Sequence, residues 1–255
     1  MKGIDEVYST KGDHIILPLS PKYQIQPVKS GFGFSSTTNE YKVIRILEKG
    51  SDKHFKAEAE IFTLGSDSWR MIEAFPYPSC FDQNLFLNGN LHWMTFENME
   101  LFSSQVIVSF NVGTEELDVM QPPPYAKQQR VMFKDLRVLG ENLWFIDADF
   151  DFQIDVWVMK NYGVATSWVK EYVIKRKSDS VSLYWCKNYE VMKLWNGELL
   201  MRCGDHTLGY YDPEKGTFKP ITVHEMPDVD YVIRPPIMLS GSLFSPQNVH
   251  KQRNR

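Results

Sequence analysis

The sequence predicts an all-β fold of the β-propeller type, in which a four-stranded sheet recurs about every fifty residues. Two markers keep this period: an apolar or aromatic anchor that follows a polar turn, and a Gly-centred turn upstream of it. The sequence shows no segment with a sustained helical period. The anchors are separated by 48, 51 and 50 residues and are Trp69, Leu117, Trp168 and Phe218.

The Gly-centred turns place the first two strands of three of the units. Gly89, Gly140 and Gly197 are separated by 51 and 57 residues, and each lies between apolar runs. A tight hairpin turn needs positive φ, which Gly adopts without steric cost. Each unit therefore reads as strand, Gly turn, strand, loop, strand, turn and strand, which is one kelch-type blade of about fifty residues.

The first recognisable blade begins with residues 31–34 and, after a turn, continues with residues 41–47. The second of these segments alternates, so that Val43 and Arg45 lie on the face opposite Ile44 and Ile46. Residues 61–64 and 69–72 are predicted to complete this blade.

The two ends of the chain are predicted to lie outside the repeat. Residues 1–30 are irregular, with prolines that interrupt two candidate strands at Ile15 and Tyr23. The family resemblance described below implies that the propeller is incomplete at its N-terminus, with these strands filling part of the gap. We expect reduced stability, because an open propeller exposes sheet edges. Residues 31–240 are predicted to form the propeller, and residues 241–255 a disordered tail.

Composition excludes several classes of function. The 255 residues are 43% hydrophobic and carry a net charge of −4, so neither nucleic acid nor a membrane surface is an expected partner. The sequence has no apolar run long enough for a transmembrane helix and no signal-peptide pattern, so we expect a cytoplasmic or nuclear protein. Cys80, Cys186 and Cys203 have no metal-site spacing and predict no disulfide framework.

Three groups of chemically capable residues have a structural interpretation that we prefer. Residues 147–151 (Asp-Ala-Asp-Phe-Asp) lack the Gly and distal Glu of calcium loops, and predict a solvated blade loop. His92 is predicted to be a packed, hydrogen-bonded strand residue. Ser66 and Asp67 fit a turn, and His54 near them does not make a catalytic group by sequence proximity alone. We therefore predict no enzyme, and no catalytic, cofactor-binding or metal-binding residue.

Position relative to the repeat separates core residues from candidate contact residues. The tryptophans that recur with the repeat are predicted to be core pillars rather than a ligand cage: they are Trp69, Trp93, Trp144, Trp157 and Trp168. Residues 122–124, three prolines, predict a rigid connector between blades. The loops that vary between units are the predicted contacts to a partner: they are residues 49–56, 98–104, 125–130 and 176–182.

Five stretches of the chain closely resemble the plant F-box-associated domain, a propeller-like recognition module that follows an F-box. The resemblance covers residues 31 to about 225 and is specific, because the SLGSDSW-like, NGxLHW and DVWVMxxYGVxxSW units occur together in one order. The stretches are GFGFSSTTNEYKVIRI (31–46), AEIFTLGSDSWRMIE (59–73), FLNGNLHWM (86–94), VIVSFNVGTEELDVMQPP (106–123) and IDVWVMKNYGVATSWVKEYVI (154–174).

The resemblance implies a protein-binding module that selects targets for ubiquitination in an SCF-type (Skp–cullin–F-box) ligase. The implied partner is a target protein, with the Skp adaptor and cullin joining only where an F-box precedes the domain; the chain itself shows no F-box signature. Two alternatives stay open. One is a truncated regulatory or non-functional fragment that binds targets without recruiting the ligase, and the other is a carbohydrate-binding or enzymatic kelch-type propeller.

Overall fold

The computed structural model describes ten stretches of the chain. Within them the fold is all-β, as predicted, and the only helical element in these stretches is one 3-10 turn at Ala165–Ser167. Sixteen of the described strands form four antiparallel four-stranded sheets. The stretches are residues 6–8, 14–20, 27–49, 56–75, 85–96, 105–124, 131–149, 153–174, 189–203 and 207–221.

Sheets 1 and 2 are consecutive along the chain and confirm the predicted order of strands within a blade. Sheet 1 consists, in spatial order, of β3 (Pro27–Ser35), β4 (Glu40–Lys49), β5 (Lys56–Thr63) and β6 (Arg70–Phe75). Sheet 2 consists of β7 (Leu85–Leu87), β8 (Asn90–Phe96), β9 (Gln105–Asn111) and β10 (Leu117–Met120).

Sheets 3 and 4 repeat the same arrangement. Sheet 3 consists of β11 (Val131–Leu139), β12 (Asn142–Asp149), β13 (Ile154–Met159) and β14 (Trp168–Ile174). Sheet 4 consists of β15 (Tyr189–Trp195), β16 (Glu198–Cys203), β17 (Thr207–Asp212) and β18 (Thr217–Pro220). Residues 121–124, which include the three prolines, follow β10 directly, at the place predicted for a connector.

Positive φ angles occur at the turns that the sequence predicts. The turn between the first and second strands has Gly89 at φ 76°, Gly140 at 64° and Gly197 at 81° in sheets 2, 3 and 4. A side chain at such a φ is strained, which explains why Gly occupies these positions. In sheet 1 the equivalent turn uses Asn39 at φ 55°. Asparagine tolerates this region better than other side chains do.

The chain divides into two compact units, each with its own core. The first unit holds sheets 1 and 2, and the second holds sheets 3 and 4. In the first core, Ile44, Ile46 and Ile61 of sheet 1 pack with Trp93, Val108 and Phe110 of sheet 2. In the second core, Trp144, Ile146 and Val156 of sheet 3 pack with Val191, Leu199 and Tyr211 of sheet 4.

Glycines on β3 let sheet 2 approach sheet 1 closely. A Cβ at Gly33 would lie 2.7 Å from Phe86 Cε2 and 2.8 Å from Val112 Cγ2. A Cβ at Gly31 would lie 2.8 Å from Leu91 Cδ1. Distances below 3 Å force one of the groups to move, so neither position has room for a larger side chain without repacking.

We expect Gly33→Val to lower the free energy of unfolding by roughly 1–3 kcal/mol, because the added isopropyl group overpacks the space beside Phe86. Ser30→Val is the matched control, since Ser30 lies on the same strand and is exposed. Equilibrium urea unfolding of both variants provides the measurement. Equal stability of the two variants would contradict close packing at Gly33.

The N-terminal segment begins with a separate two-stranded sheet, β1 (Glu6–Tyr8) paired with β2 (His14–Ile16). The candidate strand near Ile15 is therefore confirmed, and the one at Tyr23 lies outside the described residues. Residues 17–20 follow β2, and they contact sheet 1 as described below. The reduced stability expected of an open propeller stays a prediction. Cooperative thermal unfolding of the protein above about 55 °C would contradict it.

Candidate recognition surfaces

The two ends of each sheet differ in how the chain passes through them. In a four-stranded antiparallel meander, the turns between strands one and two and between strands three and four lie at the same end. We call this the turn end. In sheet 1 it holds the paired residues Ser35 and Glu40, whereas the paired residues Lys49 and Lys56 lie at the opposite end. We call that opposite end, where the chain also enters and leaves each sheet, the connection end.

The loops predicted to contact a partner all join strands at the connection end of their sheets. Residues 49–56 lead from β4 to β5, and residues 98–104 lead from β8 to β9. Residues 125–130 lead into β11, and residues 176–182 lead into β15. Apart from Lys49 and Lys56, these loops lie outside the described residues. That they contact a partner stays a prediction.

An ion-pair network holds the turn ends of sheets 1 and 2 together. Glu115, in the turn between β9 and β10, accepts a hydrogen bond from Lys42 Nζ at 2.8 Å and another from Arg70. Burial acts to raise the pKa of Glu115, but the hydrogen bonds from the two cations outweigh it and leave the pKa below its usual value. These charges satisfy one another, which favours a structural role.

The face of sheet 1 that points away from sheet 2 carries a buried ion pair. Arg45 is 5% exposed and Glu60 is 0% exposed. Arg45 Nε donates to Glu60 Oε1 at 2.9 Å, and its Nη2 donates to the same oxygen. The guanidinium also lies 3.9 Å from the ring centroid of Trp69. The alternation of β4 predicts Arg45 on this face. The sequence alone did not identify Glu60 as its partner, although Glu60 lies on the same face of β5 as Phe62, two residues away.

Residues 17–20, which we call the strap, pack against this face. Leu17 is buried in a cluster with Val43, Phe62, Leu64 and Trp69 of sheet 1. Two hydrogen bonds fix the rest of the strap. Trp69 Nε1 donates to the carbonyl oxygen of Pro18 at 2.8 Å, and Ser20 Oγ donates to Glu60 Oε2 at 2.6 Å.

His92 is a buried strand residue, as predicted. It is 0% exposed, and its Nδ1 donates to the carbonyl oxygen of Leu85 at 3.1 Å. Burial lowers its pKa from 6.5 to about 4, and the hydrogen bond to Leu85 opposes this shift only in part. His92 is therefore neutral at pH 7 and contributes to packing rather than to proton transfer.

The low pKa of His92 predicts a loss of stability in acid. The unfolded chain takes up a proton near pH 6.5, whereas the folded chain does so only near pH 4. Stability is therefore fully present above pH 6.5, and about 3 kcal/mol is lost as the pH falls to 4. Urea unfolding at pH 7.0 and 4.5 measures this loss. His92→Asn keeps a donor and does not titrate, so its stability should fall less; an equal fall would contradict the assignment.

The prediction of a solvated loop at residues 147–151 is wrong for Asp147. This residue lies in β12 and is 1% exposed, opposite Lys134 of β11 and Asp155 of β13. Lys170 Nζ lies 2.7 Å from Asp155 Oδ2, so a cation on each outer strand flanks the two central carboxylates. This balance of charge allows an acidic residue to be buried in β12 beyond Phe145.

Burial lowers the pKa of Lys134, and the carboxylate of Asp147 opposes that shift. Asp149 ends β12, and Asp151 lies outside the described residues. The described residues hold no group of three or more His, Cys, Asp or Glu side chains that could bind a metal ion. They also hold no helix long and apolar enough to cross a membrane.

A family model described as the F-box associated beta propeller domain matches residues 8–245. This match covers nearly the whole chain and includes all four sheets. The chain belongs to this family. The match begins well before residue 31, where the sequence resemblance was expected to start, and it therefore includes the strap.

Relatives of this F-box-associated domain are F-box proteins of Arabidopsis thaliana. F-box protein At3g07870 is 29% identical over 244 residues, which cover 82% of the chain and 58% of the relative. F-box protein CPR1 is 26% identical over 77% of the chain and 52% of the relative. F-box/kelch-repeat protein At3g23880 is 26% identical over 72% of the chain and 50% of the relative. The chain thus spans about half the length of these curated relatives.

The remaining candidate residues of the F-box-associated domain have structural roles where they are described. Ser66 Oγ donates to the carbonyl oxygen of Thr63 at 2.7 Å, which confirms the turn; His54 lies outside the described residues. Cys80 and Cys186 also lie outside them, and only the backbone of Cys203 is described. The five recurring tryptophans are all buried, at most 7% exposed: Trp69, Trp93, Trp144, Trp157 and Trp168. Trp93 and Trp144 lie in the cores between sheets, as predicted, whereas Trp69 lies in the cluster that holds Leu17 of the strap.

Proposed function

We propose that this domain is the target-binding part of an SCF-type ubiquitin ligase. The family match over residues 8–245 carries the proposal, supported by relatives that are named F-box proteins. The partners are a target protein, and the Skp adaptor and cullin through an F-box in the same assembly. The place of action is the cytoplasm or the nucleus. The contribution of the domain to the reaction is positional, because holding a target near the ubiquitin-charged enzyme raises its effective concentration.

The sheet architecture supports target binding at the connection end. Each sheet is a hydrogen-bonded four-stranded support whose Gly- or Asn-containing first turn lies at the opposite end. Loops on a rigid support are free to differ in length and sequence, and recognition in proteins is concentrated on such loops. The positional role needs no catalytic residue within the propeller, which agrees with the structural roles found for His92 and Ser66.

The proposal is tested in two steps with purified proteins. First, the tagged chain is used to enrich proteins from plant extract, and each candidate target is then purified and titrated against the chain. Second, the F-box-containing part that At3g07870 has in addition to the matched region is fused to the chain. We expect the fusion to bind the Skp adaptor and to support ubiquitination of the target. A fusion that binds the adaptor but ubiquitinates no purified target would overturn the proposal.

Replacing residues 98–104 with a Gly-Ser linker of equal length is expected to weaken target binding at least tenfold, if this connection contacts the target as proposed. The matched control lies at the turn end, where Ser36 and Thr37 are exposed and are changed to Ala. Isothermal titration of the purified target against both variants gives the comparison. Unchanged affinity after the linker replacement, with weaker binding of the turn-end variant, would assign recognition to the turn end instead.

A further inference from the structure

The strap contacts sheet 1 through a set of groups that resembles the contact between a peptide and its receptor. An apolar side chain, Leu17, is 6% exposed in the cluster that contains Val43 and Phe62. A main-chain carbonyl, that of Pro18, accepts from Trp69 Nε1, and one hydroxyl, that of Ser20, donates to Glu60. We call the contacting surface the seat: it comprises Val43, Arg45, Glu60, Phe62, Leu64 and Trp69.

The polar groups of the seat contact one another as well as the strap. Arg45 donates to Glu60 Oε1, which leaves Oε2 of the same carboxylate directed at Ser20 Oγ, 2.6 Å away. The guanidinium of Arg45 also lies over Trp69, so the indole that donates to Pro18 is fixed by the same cation. A buried carboxylate oxygen strongly favours a donor, so the seat selects a hydroxyl at this position.

The seat buries Leu17 and Ser20 of the strap and leaves Leu19 between them exposed. Leu19 is 77% exposed and Ile16, just before the strap, is 65% exposed, whereas Leu17 and Ser20 are 6% and 3% exposed. The recognised pattern is therefore an apolar residue, a Pro with an accessible carbonyl, any residue and then Ser. Proline restricts the free segment to extended conformations and so reduces the entropy lost on binding.

We propose that the seat is a peptide-binding site, filled in this structure by the chain's own strap, and that it takes an extended target segment of the pattern Leu-Pro-x-Ser in the strap's place. This inference rests on the proposed function, because it assigns a target class to the same domain. The strap is then an internal competitor. A target segment from another protein binds only to the fraction of chains whose strap has left the seat. The apparent affinity of the chain for that segment therefore depends on how tightly the strap is held.

The experiment titrates a fluorescein-labelled peptide of residues 14–20 (His-Ile-Ile-Leu-Pro-Leu-Ser) against the purified full chain by fluorescence anisotropy. The chain is tested as wild type, Ser20→Ala, Leu17→Ser and Leu19→Ser. Ser20→Ala removes one hydrogen bond to a charged group from the strap, so the peptide is expected to bind it roughly tenfold more tightly than wild type. Leu17→Ser is expected to bind at least as tightly, and Leu19→Ser as weakly as wild type. A peptide carrying Leu17→Asp should bind none of them.

Each other outcome overturns the proposal. A folded Ser20→Ala chain that binds the peptide no better than wild type shows that the seat does not exchange its occupant. If Leu17→Ser fails to melt cooperatively, the Ser20→Ala comparison decides; if both fail, the strap is a fixed part of the core. The titration uses two purified components and no ligase subunit. Peptide binding by a chain whose fusion binds the adaptor but ubiquitinates no purified target would therefore keep this inference and remove the proposed function. Ubiquitination of a target by a fusion whose chain does not bind the peptide would do the opposite.

Discussion

Arg45→Leu is expected to lower the free energy of unfolding by about 3–5 kcal/mol. The change leaves Glu60, which is 0% exposed, without the cation that accounts for two of its hydrogen bonds. A lone charge in the interior of a protein is costly because it has lost water without gaining a partner. The same change removes the cation that lies 3.9 Å from the Trp69 ring. The effect is measured by equilibrium urea unfolding at pH 7.

Two further variants show whether the loss comes from the buried pair. Arg70→Leu is the matched control, because Arg70 also binds a carboxylate but its side chain is 58% exposed, and such pairs contribute about 0–1 kcal/mol. In a double-mutant cycle, Arg45→Leu with Glu60→Leu should be less destabilising than Arg45→Leu alone, since no unpaired charge remains. Equal losses for the two arginines would contradict the buried-pair explanation.

Phe110→Ala is expected to destabilise the protein by about 3–5 kcal/mol, comparable with the loss of Arg45. Phe110 is 1% exposed and lies in the core between sheets 1 and 2, among Ile44, Ile61 and Trp93. Truncation removes the buried ring and leaves a cavity that the surrounding strands cannot fill, because their hydrogen-bonded registers fix their positions. Thermal and urea unfolding both report this change.

The control for this truncation is Phe86→Ala on β7 of the same sheet. Phe86 is 39% exposed, so its removal loses less buried surface and opens no closed cavity. We expect its cost to be less than half that of Phe110→Ala. If both truncations cost the same, the core of the first unit would not be centred between the two sheets.

The repeat, the order of strands in each sheet and the turn positions could all be predicted from the sequence, because each depends on local residues. At Gly89, Gly140 and Gly197, the residues that predict the turn lie within two or three positions of the glycine. The alternation of Val43 and Arg45 with Ile44 and Ile46 likewise places side chains on the two faces of β4 without knowledge of any partner.

The strap and the buried charges of sheet 3 could not be predicted in the same way, because they depend on residues far apart in sequence. Ser20 meets Glu60 across forty residues, and Pro18 meets Trp69 across fifty-one. The sequence predicts a solvated loop at Asp147, because residues 147–151 lack the Gly and distal Glu of a calcium loop. Its burial follows from the register that places it beside Lys134 and Asp155, and only the paired strands reveal that register.

The difference between the turn end and the connection end bears on how a chain of this kind can diverge. An insertion at a turn such as Asn88-Gly89 would shift the register of its hairpin and send core side chains towards water. An insertion between Lys49 and Lys56 leaves every strand pairing intact and adds only a small loop-closure entropy. Genes that encode this fold can therefore accumulate length changes at one end of the sheets at little cost to folding. Under the proposed function, this is the end at which binding preferences can diversify while the strands stay the same.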